Sequence, residues 1–376
     1  MKKVLLLAPM SSVHERFNIA NINVLRKMNC ELHIAANFEL DEHTQKYERE
    51  LQQDQIITHH IPFKRSSLKK NLKCITAMKE LFKREQFDMV HCHTETGGIL
   101  TRMSMKACKK TKYVYTPHGM SFYNGSSLKS QLVYKTIEKW ICNAMHANLA
   151  MNKEEYQVLC KWNKETACFI HGIGVQLDTI QRIHVDRENK RKEFGIPEDA
   201  TLLLSVGELN ENKNHSTILN ALNHMKERPE NVYYMICGEG MLRDELIEQA
   251  KENNMDGQLI LPGYRYDIAE IFNIADVFVF PSYHEGLSVA LMQAMAAGLP
   301  IVCSNIRGNV DLIHEGEGGF LCASNDSKGF AKYIQTLFAN EDLRVQMGKY
   351  NLIEVKKYAI ENVEQETEVI YRGVLE

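Results

Sequence analysis

No apolar run in this 376-residue chain approaches the ~18 residues that a membrane-spanning helix needs. The opening MKKVLLLAPM imitates a secretion signal, but its apolar part is short and runs into Ser11-Ser12-Val13-His14-Glu15 without a small-residue cleavage site. It reads as a first buried strand, and the protein is expected on the cytoplasmic side. The ten cysteines contain no C-x-x-C pair, and several, such as Cys237 and Cys303, lie inside apolar runs. That argues against a disulfide framework or a zinc module and for reduced core residues. Short-period repeats and low-complexity tracts are missing, which excludes solenoids and disordered tails. Aromatic residues are not interleaved with the cations, so a single-stranded nucleic-acid platform is not expected.

What is present is the composition of an ordinary globular protein, 44% hydrophobic and 25% charged, in a chain longer than one core usually covers. The net charge of -3 hides a polarity. Residues 1–175 carry 26 Lys+Arg against 16 Asp+Glu, a net +10, and the remainder carries 19 against 32, a net -13. Such asymmetry bears on which surface or partner each half meets.

Along the chain, short apolar runs alternate with amphipathic segments. In the first half the strand-like runs are Val4–Leu7, Cys30–Ala35, Met89–Cys92, Tyr113–Thr116, Ala147–Met151 and Ala167–Ile170; helical stretches between them include Asn18–Met28, Leu72–Arg84, Gly97–Lys109 and Leu128–Ala144. This predicts a parallel sheet with helices on both faces. The composition changes around Gly172-Ile173-Gly174-Val175, and Thr179–Ala200 is polar without a strong apolar period. A second series then starts at Leu202–Gly207 and continues through Val232–Cys237, Gln258–Leu261, Val277–Phe280 and Ile301–Ser304, and the tail, about Leu352–Leu375, reads as helix. The fold class is α/β: two doubly wound Rossmann-like domains, 1–176 and 177–356, facing a cleft at their sheet carboxyl edges, where ligands of open α/β sheets bind.

Several segments carry candidate chemistry. Pro281 ends the buried run Val277–Phe280, because it has no backbone donor for a ladder, and opens a polar loop holding Glu285 and Gly286. Ser288 starts an almost wholly apolar helix that stops at Gly298 and Pro300. A helix N-terminus at the carboxyl end of a parallel strand suits a phosphate, through its N–H groups and dipole. Gln293 is an amide inside that apolar helix, and a neighbouring backbone group or a polar ligand must satisfy it. Earlier, Ser205–Asn214 is a strand ending in Gly207 and a loop with one lysine, Lys213, which is either solvated or a diphosphate contact. Tyr115-Thr116-Pro117-His118-Gly119 puts a histidine at a strand end. Gly238-Glu239-Gly240 and Gly263-Tyr264-Arg265 are further turns. His91, His93 and Glu95 invite a metal reading, but no further ligand sits at zinc-like spacing. Lastly, Lys64–Lys73 packs five cations without an acid, and Arg102 to Lys112 adds five more. These are either a solvated face or a contact with an anionic membrane.

The stretch HEGLSVALMQAMAAGLP resembles the sugar-nucleotide signature of glycosyltransferase family 4, retaining enzymes of the GT-B fold. In that pattern a glutamate–glycine pair precedes a second glutamate eight positions after the first, and the segment closes on A-x-G-x-P. Glu285 takes the first position, and Gln293 stands at the second, a departure. The resemblance implies that Glu285 holds hydroxyls of the donor sugar, that Gln293 meets the ribose, and that His118, in a T-x-H-G segment, approaches the sugar. It places Lys213 and the N–H groups of Gly286, Leu287 and Ser288 on the leaving diphosphate. Glu208 stands where the family has an arginine, and Asn212 or Arg265 would replace that cation. Arg265 also lies in the segment that cups the base. The implied activity is transfer of a sugar from a nucleotide donor, UDP-linked, to a carbohydrate or lipid-linked saccharide acceptor. No cofactor or metal is expected, the C-terminal helix, about 357–376, crosses back to the first domain, and work at the inner face of the membrane is implied. A UDP-sugar epimerase and a non-catalytic nucleotide-sugar sensor are the rivals on the same architecture.

Overall fold

The computed structural model describes residues 1–63, 68–122, 127–225 and 231–376, so Lys64–Ser67 of the basic segment lie outside the described residues. The chain divides into two units, one made of Met1–Gly174 with Ile360–Glu376 and the other of Val175–Ala359.

The first unit holds seven parallel strands: β1 Lys3–Met10, β2 Glu31–Asn37, β3 Ile57–His60, β4 Met89–His93, β5 Lys112–Thr116, β6 Ala147–Ala150 and β7 Ala167–Phe169. They lie in the order β3-β2-β1-β4-β5-β6-β7. Val4 to Ala8 of β1 are wholly buried, as a strand covered on both faces requires. The order reverses between β1 and β4, which register Val4 to Leu7 against Met89 to Cys92. The loops leaving these two strands therefore diverge and leave a crevice at their carboxyl ends.

The second unit repeats the scheme with six parallel strands, β8 Thr201–Val206, β9 Val232–Cys237, β10 Leu259–Gly263, β11 Val277–Phe280, β12 Ile301–Ser304 and β13 Gly319–Cys322, in the order β10-β9-β8-β11-β12-β13. Here the reversal falls between β8 and β11. Apolar clusters fill both faces of the sheet, one around Phe272, Phe278, Leu291 and Met295 and the other around Leu219, Tyr234, Phe330 and Met347.

Several boundaries differ from the sequence reading. The helical stretch expected at Asn18–Met28 begins earlier, as Ser11–Phe17 and then Ile19–Lys27, with a break at Asn18. Strands β3 and β13 are additional to the runs expected from the sequence: one reads ITHH at a sheet edge, the other, GFLC, is four residues beginning with glycine at the edge of the second sheet. The polar stretch after Thr179 is not featureless. It contains the helix Arg187–Glu193, anchored by Arg191, which is 2% exposed and donates to the carbonyls of Ile274, Glu198 and Ala200 and to Asp276. A long cation hydrogen-bonded to strand and helix ends does without an apolar period. The tail, too, is not one helix: Glu341–Glu354 runs into a 3-10 turn, Val355–Tyr358, and a new helix, Ile360–Leu375, follows. Ala359 separates them, because its backbone pairs in parallel with Val175.

Candidate functional site

In the second unit the β8 and β11 loops leave neighbouring strands at the reversal, and the sequence builds each to hold the other. Pro281 closes β11, and its carbonyl accepts from the Asn214 amide at 3.1 Å; the same amide reaches the carbonyl of Ser324 at 2.7 Å. Tyr283 donates its N–H to the carbonyl of Asn212 at 2.8 Å, and the Asn212 amide returns a bond to the carbonyl of His284 at 3.0 Å. This double stitch fixes the residue after each contact. Lys213 and Glu285, 72 positions apart in sequence, meet with Nζ 2.7 Å from Oε1. Both side chains are mostly covered, at 20% and 14% exposed, and Nζ also lies 4.9 Å over the Phe280 ring.

Two glycines permit this packing. A Cβ on Gly207 would come within 3.1 Å of Lys213 Cδ and Cε, so the glycine leaves the lysine room to fold back across the strand end. Gly308, at φ 83, sits where a Cβ would be 2.3 Å from the Gly286 carbonyl oxygen. Its neighbour Arg307 donates to His284 Nε2 at 2.6 Å, which makes that nitrogen the acceptor and puts the His284 proton on Nδ1. Arg307 was not singled out in the sequence, and it backs the Glu285 loop from β12.

After the loop, Ser288 caps the helix Val289–Ala296 by accepting from the Leu291 N–H at 3.3 Å. The N–H groups of Leu287 and Ser288 have no acceptor among the described residues. Gln293 is half-buried rather than buried, and its amide makes no hydrogen bond among the described residues. The site thus offers an ammonium group, a carboxylate, backbone donors at a helix N-terminus and an amide without a protein partner among the described residues. The turn at Gly238 and Gly240 packs against the same region, since Cβ atoms there would lie 1.9 Å and 2.3 Å from the carbonyl oxygens of Gly207 and Leu209.

Arg265 is not brought to this pair. Its guanidinium is filled by Asp267, at 2.8 and 2.6 Å, and by Glu193 at 2.8 Å, with Lys190 bridging Asp267, Glu193 and Glu270. The guanidinium hydrogen bond, and then Lys190, hold the Asp267 carboxyl well below the usual range. Glu208 is exposed, so no buried acid opposes an anion there.

In the first unit, His118 stands after β5 in the left-handed region, at φ 59, with Gly119 next at φ 112. Its ring stacks on Phe17 at 5.3 Å, and Nε2 lies 2.9 Å from Nδ1 of His93. Burial, and then the neighbouring His14, push its pKa down to about 3. His91 bonds Thr116 at 2.8 Å and the Tyr371 hydroxyl at 2.7 Å. Among the described residues no group of three His, Cys, Asp or Glu side chains could hold a metal. The two strand histidines considered as ligands are instead engaged with hydroxyls and with each other's neighbours.

A family model described as "Glycosyl transferases group 1" matches residues 186–352, and one described as "Glycosyl transferase 4-like" matches residues 3–152. The chain is 28% identical over its full length to EpsD of Bacillus subtilis (strain 168), named as a glycosyltransferase, covering 97% of that protein. It is 30% identical over 270 residues, 70% of each chain, to the UDP-Gal:alpha-D-GlcNAc-diphosphoundecaprenol alpha-1,3-galactosyltransferase of Escherichia coli. Among solved structures, Anabaena HepE in complex with UDP superposes with a TM-score of 0.81 at 16% identity, covering 99% of this chain and 100% of HepE. That likeness shows the fold, GT-B. The chain belongs to the group 1, family 4-like glycosyltransferases, and it is a sugar-transferring enzyme.

Proposed function

We propose that the protein transfers a sugar from a UDP donor to a hydroxyl of a carbohydrate or lipid-linked saccharide acceptor, with retention at the anomeric carbon, in the synthesis of cell-surface polysaccharide. The observation that carries this reading is the Lys213–Glu285 pair across the β8/β11 reversal, beside the capped N-terminus of Val289–Ala296. A diphosphate entering there takes Glu285's place as the partner of Lys213, and the released carboxylate accepts from hydroxyls of the sugar. As the bond from the anomeric carbon to the diphosphate breaks, negative charge grows on the departing oxygen. Lys213 and the N–H groups of Gly286, Leu287 and Ser288 face that charge and stabilise it without a metal. The acceptor hydroxyl attacks from the side the leaving group vacates, and its proton passes to the departing phosphate oxygen. Gln293 meets the ribose diol through its amide. Arg265, whose fork is filled, shapes the Gly263 turn under the base and leaves base contact to backbone. His118 is assigned to the transferred sugar, as the family resemblance implies. The UDP in HepE and the UDP-Gal donor and diphosphoundecaprenol-linked acceptor in the Escherichia coli relative's name support the choice of donor and acceptor.

The test is release of UDP by the purified protein from a panel of UDP-sugars with saccharide acceptors. Glu285→Ala should lower turnover by at least about a hundredfold, the scale of losing an interaction made to the reacting sugar. Undiminished turnover in that variant would overturn the assignment. UDP-sugar interconversion without acceptor would identify an epimerase, and tight UDP-sugar binding without transfer a sensor.

A lipid-linked acceptor implies work at the inner face of the membrane, and the helix Leu128–Cys142 supplies a surface for it. Leu128, Leu132, Val133 and Trp140 are exposed on it, with Lys129, Lys135 and Lys139 among them. From Gly97 to Ala150 the sequence has eight cations and one acid, Glu138, and that acid is buried, accepting from the Tyr115 hydroxyl at 2.9 Å. An apolar face rimmed by unopposed cations suits an anionic bilayer. The protein should float with vesicles containing phosphatidylglycerol and not with neutral ones, and Leu132→Glu should abolish flotation while leaving turnover on a water-soluble acceptor intact. Equal binding of both variants to both vesicles would remove this surface from the reading.

A further inference from the structure

The crevice between β1 and β4 in the first unit holds a group of histidines that the transfer reaction, as described, does not explain. His14, His91, His93 and His118 lie in ring contact, with centroids 4.1 Å apart for His91–His93, 5.1 Å for His93–His118 and 6.1 Å for His14–His93. Both of the residues that turn the chain here, Thr94 at φ 67 and His118 at φ 59, are non-glycine residues in the left-handed region. Strain of this kind persists where surrounding structure fixes a particular geometry.

The hydrogen bonds determine where most of the ring protons are. His14 Nε2 faces the carbonyl of Ala35 at 3.2 Å, so it must donate, and its Nδ1 accepts from the Asn18 amide at 2.8 Å. His93 is wholly buried. Its Nδ1 is 2.9 Å from His118 Nε2, and its own Nε2 is buried with no partner among the described residues. A proton on that Nε2 would leave a dry, orphaned N–H donor, the rarer and costlier defect, whereas an orphaned lone pair is better tolerated. The proton of His93 therefore sits on Nδ1 and is donated to His118. His118 Nε2 is then the acceptor, and the neutral ring of His118 carries its proton on Nδ1, which has no protein partner among the described residues.

We propose that His93 is the positioning residue that fixes His118 in the Nδ1–H tautomer, so that this strand end presents an N–H donor, not a base, to an oxygen of the transferred sugar. The sugar contact rests on the function proposed above; the tautomer does not. To gain a second proton, His118 would have to place it on Nε2, against the Nδ1–H of His93. His93 would then have to move its own proton onto the dry Nε2. The one nearby carboxylate in the first turn of the next helix, Glu95, is engaged by Ser121 and is itself pushed upward by burial.

The experiment is nitrogen-15 NMR of the full-length protein labelled at histidine, with His118 assigned from the spectrum of His118→Asn. The expected result is a protonated, pyrrole-type Nδ1 and an unprotonated, pyridine-type Nε2 for His118. The reverse pattern in the wild-type protein overturns the proposal, whatever the variants do. His93→Phe keeps the ring volume and removes the donor, and it should release His118 to a mixture of tautomers and lower kcat by about tenfold, the worth of one hydrogen bond, with UDP affinity unchanged. His93→Asn places an amide N–H near the lost donor and should restore much of the rate. A wild-type Nδ1–H tautomer that persists unchanged in His93→Phe would also overturn the role of His93. If the tautomer shifts as expected but kcat is unaffected in both His93→Phe and His118→Asn, the positioning stands and the sugar contact is what fails.

Discussion

Gln293 is one of the residues at which this chain leaves its family's pattern, and its surroundings make the departure testable. The amide is half-buried on a helix whose other residues are apolar, and nothing among the described residues bonds it. An amide that none of the described residues engages and that reaches solvent can donate to and accept from a ribose diol. A carboxylate there would bond the same diol with charge assistance. Gln293→Glu should therefore tighten UDP binding by about tenfold, read by calorimetry; unchanged affinity would remove this side chain from the ribose site. Single residues differed in how visible they were. Glu285 and Lys213 stood out because each follows a strand and precedes a helix, which chain-local signals reveal. Their pairing did not, because it depends on β8 and β11 being neighbours, a consequence of strand order. Arg191 and Arg307 gave no signal at all, since what distinguishes them is burial against partners that include residues more than 20 positions away. His93 drew notice for a metal role, and the structure gives it hydrogen-bonding work instead.

At the level of elements, the helix Val289–Ala296 is short and almost wholly apolar, so its start depends on one cap. Ser288 accepts from Leu291, and the same cap holds the end of the loop that carries Glu285 and Gly286. Ser288→Ala should cost about 1 kcal/mol of stability in the second unit. The cost should shrink when UDP is present in excess if the diphosphate itself caps the helix, and thermal melts with and without UDP distinguish the two cases. Elements beside both reversals were legible: β1, β8 and β11 hold continuous apolar runs, and β4, which reads MVHCH, is buried throughout. The elements that were not are those whose residues serve the edge or the linker. β3 buries none of its four residues fully, β13 is brief, and the helix Arg187–Glu193 is held by arginine and lysine rather than by a leucine stripe.

For the whole molecule, the most consequential fact is that the first unit is discontinuous. Its last element, Ile360–Leu375, buries Ile360, Val363 and Tyr371 in that unit. Glu364 receives Lys27 and the Asn23 amide, Glu366 receives the N–H of His171 at 2.8 Å, and the Tyr371 hydroxyl meets His91. Each fully buried aliphatic or aromatic side chain contributes about 1.5–3 kcal/mol, so losing three removes an amount comparable with the ~5–15 kcal/mol by which a domain is stable. The second unit has its own apolar clusters on both faces of its sheet, and no residue of this helix belongs to either cluster. A chain ending at Ala359 should therefore lose the first unit and keep the second. Limited proteolysis should degrade the region before Gly174 and leave a resistant fragment of about the size of Val175–Ala359, and that fragment should still bind UDP. Resistance of both units after the truncation would mean that the terminal helix is dispensable to the unit it completes.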